Sequence, residues 1–259
     1  MKKKIIAIIV AIVLIIPVSS GWYEFLLDNF FDAKLASSTQ LKFRKISDTE
    51  VEVTGYESDL DEKITIPEKI QIGLDIYKVT SIGKEAFSWC IRLTSINIPE
   101  SLTSIGASAF LGCGSLTSIK IPDGVTSIGA SAFLGCSSLT SINIPKGVTS
   151  IGKEAFSWCI RLTSINIPES LTSIGYKAFY GCSSLNSIKI PEGVTNIGAS
   201  AFWGCSSLTS IKIPDGVTSI GYNAFEGCYN LDIVIDNSEN NVKVGELAFE
   251  GCKSVKWLK

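Results

Sequence analysis

The chain contains 259 residues, carries a formal charge of −2, and is 46% hydrophobic and 19% charged. This length is enough for a sizeable core, and the lack of a basic excess argues against nucleic acid as a partner. Histidine is missing altogether, which excludes nucleophile systems that use histidine as the base. A zinc site would have to rely on thiolates and carboxylates.

Residues 1–20 have the composition of a targeting signal. Three lysines at positions 2–4 precede an uninterrupted apolar run over residues 5–16, and small residues follow at 19–21. The run is short for a bilayer span, which needs about 20 residues. We therefore predict a secretory signal peptide over 1–20, cleaved near Ser20, or alternatively an uncleaved anchor that would be the only contact with a membrane.

Residues 21–40 are predicted to form a linker or a short amphipathic helix. In the stretch WYEFLLDNFFDAKLA, over 22–36, one helix face would carry Trp22, Phe25, Leu26, Phe30 and Phe31. One interpretation is a pro-segment or a helix packed on the first coil, and the other is a helix at a membrane surface. The carboxylates of Glu24, Asp28 and Asp32 argue against anionic lipid.

From residue 79 onward the chain repeats one pattern about every 23 residues. Each repeat ends in a cysteine, a phenylalanine lies three positions before it, and a glycine lies four positions before the phenylalanine. The cysteines are Cys90, Cys113, Cys136, Cys159, Cys182, Cys205, Cys228 and Cys252. A unit this short cannot bury its own apolar side chains, so the repeats are expected to stack around a continuous core. Residues 79–106 and 148–175 are identical, which indicates duplication of a three-repeat block.

The repeat from Leu116 to Cys136, LTSIKIPDGVTSIGASAFLGC, predicts the shape of one coil. The spacing LxxIxI predicts a short strand with its apolar side chains inward, and Pro122 ends it because proline cannot donate to a ladder. We expect Gly129 to form a tight bend at positive φ, and the residues around Phe133 to form a short helical turn.

The consensus CxxLxxIxIPxxVTSIGxxAFxGC resembles the BspA-like leucine-rich repeat, a class with a 23-residue period. The stretch LKFRKISDTEVEVTGY, over 41–56, is similar to the opening β-hairpin of that family. The resemblance implies a mainly β, right-handed solenoid of about eight coils over 79–259, after a hairpin cap and a first partial coil over 41–78. It also implies a secreted or surface protein that binds other proteins or matrix, without a shared catalytic site or cofactor.

The eight cysteines have three interpretations. No two lie closer than 23 residues, which argues against a metal site. Disulfides are common in exported proteins, but parallel side chains at one coil position have poor geometry for an S–S bond. We therefore favour a ladder of buried thiols that act as small apolar groups.

A column of polar residues is predicted to face outward from the main strands. It consists of Asn97, Lys120, Asn143, Asn166, Lys189 and Lys212. One interpretation is a solvated face whose charges compensate one another, and the other is a face that binds a protein or a glycan.

A second column follows the repeated phenylalanines. Its apolar members are Leu111, Leu134, Tyr180 and Trp203. If these side chains are exposed, they form an apolar ridge of the kind that marks contact surfaces.

No motif for catalysis occurs: the chain has no glycine-rich phosphate loop, no CxxC and no HExxH. We predict an exported, non-enzymatic module that binds a protein or glycan at a cell surface. The alternative is a structural surface element that assembles with itself through the apolar ridge.

Overall fold

The computed structural model of the chain describes residues 40–57 and 61–259. The predicted signal peptide and most of the predicted linker or helix over 21–40 lie outside the described residues. No helix in the described part of the chain has the length and apolar character that a bilayer span requires.

Five strands precede the regular coils. They are β1 (Leu41–Lys45), β2 (Glu50–Tyr56), β3 (Lys63–Thr65), β4 (Lys69–Ile72) and β5 (Asp75–Ile82). β1 and β2 form an antiparallel pair, and β2 then runs parallel to β5. The N–H of Gly83 donates to the carbonyl of Val53 at 2.7 Å, so the pair is joined to the start of the first coil.

Most later coils contribute two short strands, and these form two columns along the solenoid. The first column contains β6 (Ser95–Asn97), β8 (Ser118–Lys120), β10 (Ser141–Asn143), β12 (Ser164–Asn166), β15 (Ser210–Ile213), β17 (Asp232–Ile235) and β19 (Ser254–Trp257). The second contains β7 (Ser104–Ile105), β9 (Ser127–Ile128), β11 (Ser150–Ile151), β13 (Ser173–Ile174), β14 (Asn196–Ile197), β16 (Ser219–Ile220) and β18 (Lys243–Val244). All hydrogen-bonded neighbours within these columns are parallel, as stacked coils require.

The core is a set of ladders in which every apolar position packs on its counterpart in the next coil. The phenylalanines stack with nearly parallel rings, from Phe87 on Phe110 at 5.4 Å between centroids to Phe225 on Phe249 at 6.2 Å. Inward leucine, isoleucine and valine side chains surround this stack and are buried. The fold of the repeat region is therefore the predicted leucine-rich solenoid.

The turn column, which runs through the Phe-Cys segments, contains tight turns in place of the predicted helical turns. In one coil the N–H of Leu134 donates to the carbonyl of Ser131, and the N–H of Cys136 donates to that of Phe133. The single helix in the described part of the chain is a 3₁₀ turn at Glu239–Asn241.

The prediction that Gly129 adopts a positive φ is wrong. The glycine at this position is required by close approach, because a Cβ atom on Gly129 would lie 2.5 Å from the backbone nitrogen of Ala107 in the coil before. Positive φ occurs at two other positions of the coil, for example at Ser131 and Gly135, with φ values of 55° and 73°.

The cysteines form the predicted ladder of free thiols. Seven of them are buried, and Cys252 at the last coil is half-buried. From Cys113 onward, each thiol donates to the carbonyl of a phenylalanine in the preceding coil at 3.1–3.3 Å. Burial raises the thiol pKa of Cys136 and Cys182 to about 12, so these sulfur atoms are neutral packing groups at neutral pH.

Candidate binding face

The polar column predicted from the sequence lies on the outer side of the first strand column, which we call the strand face. All six residues are exposed: Asn97, Lys120, Asn143, Asn166, Lys189 and Lys212. They alternate with buried isoleucines, such as Ile142 and Ile144 on either side of Asn143, because successive side chains of a strand point to opposite faces. The alternation thus brings the six side chains onto one surface.

Each lysine of the strand face is paired with a carboxylate of a neighbouring coil. Lys120 contacts Glu100 at 2.7 Å, and Lys189 contacts Glu169 at 2.5 Å. The hydrogen bond from Lys189 holds the carboxyl pKa of Glu169 below its usual value. These pairs are fully hydrated, so they set the pattern of charge on the face and contribute little to stability.

The third lysine, Lys212, shares its carboxylate partner with Lys259 near the C-terminus. It lies 3.3 Å from Asp236, whose carboxylate also contacts Lys259 at 3.1 Å. Hydrogen bonds from Lys259 and then from Lys212 lower the carboxyl pKa of Asp236. In the coil of β17, Val234 lies opposite Lys212, so the outward column carries no lysine or asparagine there.

The middle of the strand face is uncharged. Asn143 and Asn166 are direct neighbours on β10 and β12, and the side-chain amide of Asn166 donates to that of Asn143 at 3.1 Å. This hydrogen bond leaves one amide oxygen and one amide nitrogen turned to solvent, which is suited to a polar ligand.

The hydrogen-bonded ladder of the strand face is interrupted beyond β12. The next coil carries the same SIK letters as β8, but only an isolated bridge from Ser164 to Ser187 is formed, and the ladder resumes as β15–β17–β19. An open groove of about 650 Å³ crosses the face at this place. Its polar rim includes Ser187, Lys189 and Lys212, and its apolar floor includes Ile188.

The predicted apolar ridge is only partly accessible. Leu111, Leu134, Tyr180 and Trp203 are half-buried along the turn column. The rings of Tyr180 and Trp203 stack at 4.5 Å between centroids, and the indole N–H of Trp203 donates to Glu226 at 3.1 Å. These contacts use part of the surface that the ridge was expected to offer to a partner.

The sequence of the repeats matches a family model. The model for the BspA type leucine rich repeat region matches residues 62–157 and 128–256 in six copies. The chain belongs to the BspA-type leucine-rich repeat family. Proteins of this family are typically non-enzymatic scaffolds, and their repeats form protein-interaction modules.

Solved structures of leucine-rich repeat proteins have a similar architecture. The T. pallidum leucine-rich repeat protein is 29% identical with a TM-score of 0.56, over 82% of this chain and 86% of its own. A leucine rich cell surface protein from Faecalibacterium prausnitzii A2-165 is 28% identical with a TM-score of 0.57, over 84% and 74% of the two chains. A leucine-rich repeat protein from Bacteroides ovatus is 28% identical with a TM-score of 0.56, over 85% and 75%. No curated protein matched the chain.

Two exposed tryptophans of this BspA-type solenoid were not among the predicted contact residues. Trp89 and Trp158 replace the glycine that follows the ridge position, and both adopt the left-handed φ of that glycine, at 60° and 59°. Ile91 and Ile160 are exposed beside them. The replacement of a repeated glycine by tryptophan is the sequence signal that identifies these positions.

The described part of this BspA-type chain contains no cluster of three side chains arranged to hold a metal ion. Two carboxylates of the strand face, Glu169 and Asp236, are each engaged by a lysine. The chemistry of the face is therefore that of hydrogen bonds, charge and shallow apolar contact.

Proposed function

We propose that this protein is exported and serves as a non-enzymatic binding module at a cell surface, with the strand face as its recognition surface. Export is supported by the basic and apolar pattern of residues 1–20 and by the similarity to a cell surface protein of Faecalibacterium prausnitzii. N-terminal sequencing of the protein from culture medium and from the envelope fraction tests export and the expected cleavage near Ser20.

The groove between β12 and β15 is the observation that carries the binding proposal. It combines an apolar floor with hydroxyl groups, two lysines and the carboxylates of Glu192 and Asp232, and interrupted backbone pairing gives a ligand room to approach. Its partner is a protein or glycan with several hydroxyl or amide groups, because these can pair with the serine, ammonium and carboxylate groups of the groove.

A glycan array and a panel of purified matrix proteins provide the probes for the binding test. Lys189→Ala combined with Lys212→Ala is expected to weaken binding about tenfold or more, since both lysines line the groove. Lys120→Ala is the matched control, because Lys120 occupies the same column and makes the same kind of ion pair but lies away from the groove. Equal affinity of the double variant and the control would contradict the proposal.

The second candidate function is a structural element that assembles with itself. The exposed side chains of Trp89, Ile91, Trp158 and Ile160 favour it. Sedimentation of the wild-type protein and of a Trp158→Ser, Ile160→Ser variant over a range of concentrations separates the two functions. Only self-assembly through these side chains predicts a mass that depends on concentration and on these residues.

A further inference from the structure

The first and second copies of the three-repeat block, which begin at residues 79 and 148, differ on the turn column. Four of these differences give the second block an aromatic or basic side chain: Tyr176, Lys177, Tyr180 and Trp203. The residues 69 positions earlier in the first block are Ala107, Ser108, Leu111 and Leu134. The second block therefore carries large aromatic and cationic groups at positions where the first block has small or aliphatic ones.

Main-chain hydrogen bonds support these side chains. In the turn column, the bonds that join coils run from one coil to the coil that follows. The N–H of Glu154 donates to the carbonyl of Tyr176 at 2.9 Å. The N–H of Trp158 donates to the carbonyl of Tyr180 at 2.7 Å. The side chains of neighbouring turns therefore project from a shared, rigid backbone.

The indole of Trp158 forms a flat aromatic surface on this backbone. It lies against Gly181 of the next coil, where a Cβ atom would come within 2.8 Å of the indole Cε3 atom. Glycine at 181 therefore allows one face of the indole to pack on the main chain. Because the side chain is still 50% exposed, the other face is turned outward.

The ring of Tyr180 stands at an angle to this surface. Its centroid is 5.4 Å from that of Trp158, and the two ring planes meet at 69°. Tyr180 also stacks on Trp203 at 4.5 Å between centroids, and the indole N–H of Trp203 is held by Glu226. Trp158 and Tyr180 thus form the floor and the wall of an open pocket, which we call the aromatic corner.

Two lysines lie over the tyrosine rings of this region. The ammonium group of Lys177 is 5.0 Å from the ring centroids of both Tyr176 and Tyr180. The ammonium group of Lys153 is 5.4 Å from the ring centroid of Tyr176. A cation of the protein therefore already occupies the position that a cationic ligand would take over these rings. This arrangement favours a ligand that is anionic.

The two lysines differ from those of the strand face in having no carboxylate partner within the described part of the chain, whereas Lys120 and Lys189 are each paired. The acids of this region interact with other groups. Glu226 accepts the indole N–H of Trp203, and Glu154 accepts the hydroxyl of Ser131 at 3.4 Å. The ammonium groups are thus left to pair with an anionic group of a ligand.

We propose that the aromatic corner binds one uronic acid unit of an acidic glycan. The sugar stacks its C–H face on the indole of Trp158 beside the wall of Tyr180, because the π face is negative and attracts C–H groups. Its carboxylate pairs with Lys177. A uronic acid carries the stacking face and the carboxylate in one ring, whereas an acidic peptide places them on separate residues. The corner shares no residue with the groove of the strand face, so this site goes beyond the proposed function.

The indole N–H signals in NMR spectra of the exported protein test this inference, because the chain contains five tryptophans. The probes are oligosaccharides of glucuronate, galacturonate and mannuronate, and the methyl ester of the galacturonate oligomer is the uncharged counterpart. At least one uronate is expected to shift the signals of Trp158 and Trp203 and to leave those of Trp89 and Trp257 unchanged. The methyl ester is expected to bind at least about threefold more weakly, because it cannot pair with an ammonium group.

The first block provides a matched control for the floor of the corner. Trp158→Ala is expected to weaken binding about tenfold or more, because it removes the stacking surface. Trp89→Ala makes the same change in an identical local sequence and is expected to leave the affinity unchanged, since Trp89 lacks the tyrosines and the lysine.

Two further variants install the residues of the first block and are therefore compatible with the repeat. Tyr180→Leu removes the wall and is expected to weaken binding about threefold or more. Lys177→Ser is expected to abolish the preference for the uronate over its methyl ester. The backbone accommodates this change, because Ser108 has a φ of 54° at the equivalent position, close to the 52° of Lys177.

Five outcomes would overturn the proposal. The first three are no shift of the Trp158 signal with any uronate, equal affinity for the uronate and its methyl ester, and equal effects of the Trp158 and Trp89 variants. The fourth is a shift that depends on protein concentration without ligand, which would assign the corner to a contact between two copies. The fifth is tighter binding of a proline-rich or aromatic peptide than of any uronate, which would assign the corner to a protein partner.

The strand-face variant with Lys189→Ala and Lys212→Ala separates this inference from the proposed function. It is expected to bind the uronate at the aromatic corner with unchanged affinity, because neither lysine lies there. Loss of the Trp158 shift in this folded variant would mean that the two surfaces form a single site and would contradict the inference.

Discussion

The thiol of Cys136 donates to the backbone carbonyl of Phe110, 3.2 Å away in the preceding coil. The ring of Phe110 stacks on Phe133 at 5.3 Å between centroids, and Phe133 in turn lies three residues before Cys136. The cysteine of the repeat therefore joins two coils by a side-chain hydrogen bond, and the phenylalanine three residues before it joins them by aromatic stacking. The hydrogen bond and packing of the cysteine explain its presence in every coil without a reactive role.

Stability is expected to fall at alkaline pH because the buried thiols must ionise on unfolding. The folded pKa of Cys136 is about 12, above its ordinary value of 9.0, so the native state binds more protons than the unfolded state between these two values. The thiol's contribution is therefore complete below about pH 9 and is lost as pH rises toward 12, at about 1.4 kcal/mol per pH unit for each such group. Urea denaturation at pH 7.5, 9 and 10.5, with reductant present, measures this slope.

The Cys136→Ala variant is the control for the alkaline effect. It is expected to be less stable than the wild type by about 1–3 kcal/mol at pH 7.5, because it loses a packed sulfur and its hydrogen bond. Its free energy of unfolding should then fall less steeply with pH than that of the wild type. Identical slopes for the two proteins would show that the thiol is not ionising on unfolding.

The thiols are expected to remain reduced in the isolated protein. Denaturation without reductant, followed by thiol titration, should reveal close to eight reactive groups, one for each cysteine in the chain. In the native state Cys252 is expected to react first, because it is half-buried at the last coil while the others are buried. A titre near zero would mean that the ladder is replaced by disulfides.

Gly129→Ala is expected to destabilise the solenoid by about 3 kcal/mol or more, because the new methyl group would lie 2.5 Å from the backbone nitrogen of Ala107. Gly147→Ala is the control, since its Cβ would meet the carbonyl of Val125 at 3.6 Å, an ordinary contact. That variant should differ from the wild type by less than about 1 kcal/mol. Equal effects of both substitutions on thermal unfolding would argue against close backbone approach as the reason for the repeated glycine.

Breaking the ion pair between Lys189 and Glu169 is expected to leave stability almost unchanged. Both side chains are more than half exposed, and exposed pairs contribute about 0–1 kcal/mol. Lys189→Ala should therefore unfold within about 0.5 kcal/mol of the wild type in a denaturant titration. A larger loss would mean that this lysine supports the interrupted part of the strand face, and binding data on the variant would then need correction for unfolding.

The coil itself was predictable because its signals are local and repeated. The alternation around Asn143 and the proline at 145 define a strand and its end, and the 23-residue spacing predicts stacking. The thiol ladder follows from the same spacing, because equal positions in successive coils must face one another. The exposed strand-face residues were identified for this reason.

The irregular features depend on how successive coils stack on one another, and the sequence of a single repeat does not determine that. Ser118–Lys120 and Ser187–Lys189 have the same SIK sequence, yet the first forms β8 and the second forms only a bridge. Similarly, a glycine in a repeat is equally compatible with positive φ and with close approach, and only the position of the neighbouring coil distinguishes Gly129 from Gly135. The groove and the partial burial of Leu134 belong to this second class.

The one-way hydrogen bonding of the turns has a consequence for how such a protein changes length over generations. In the turn column each N–H that joins two coils donates to the coil that follows, as from Ser131 to Lys153, whereas beside it the N–H of Gly129 donates to Ile105 in the coil before. Any whole number of coils therefore presents the same donors and acceptors at its two ends, and an inserted block can form the same hydrogen bonds with its neighbours. The identical stretches 79–106 and 148–175 are what unequal recombination within the gene would leave behind. A further block of 69 residues would lengthen the solenoid by about 15 Å and enlarge its outer surface while both termini keep their present structure.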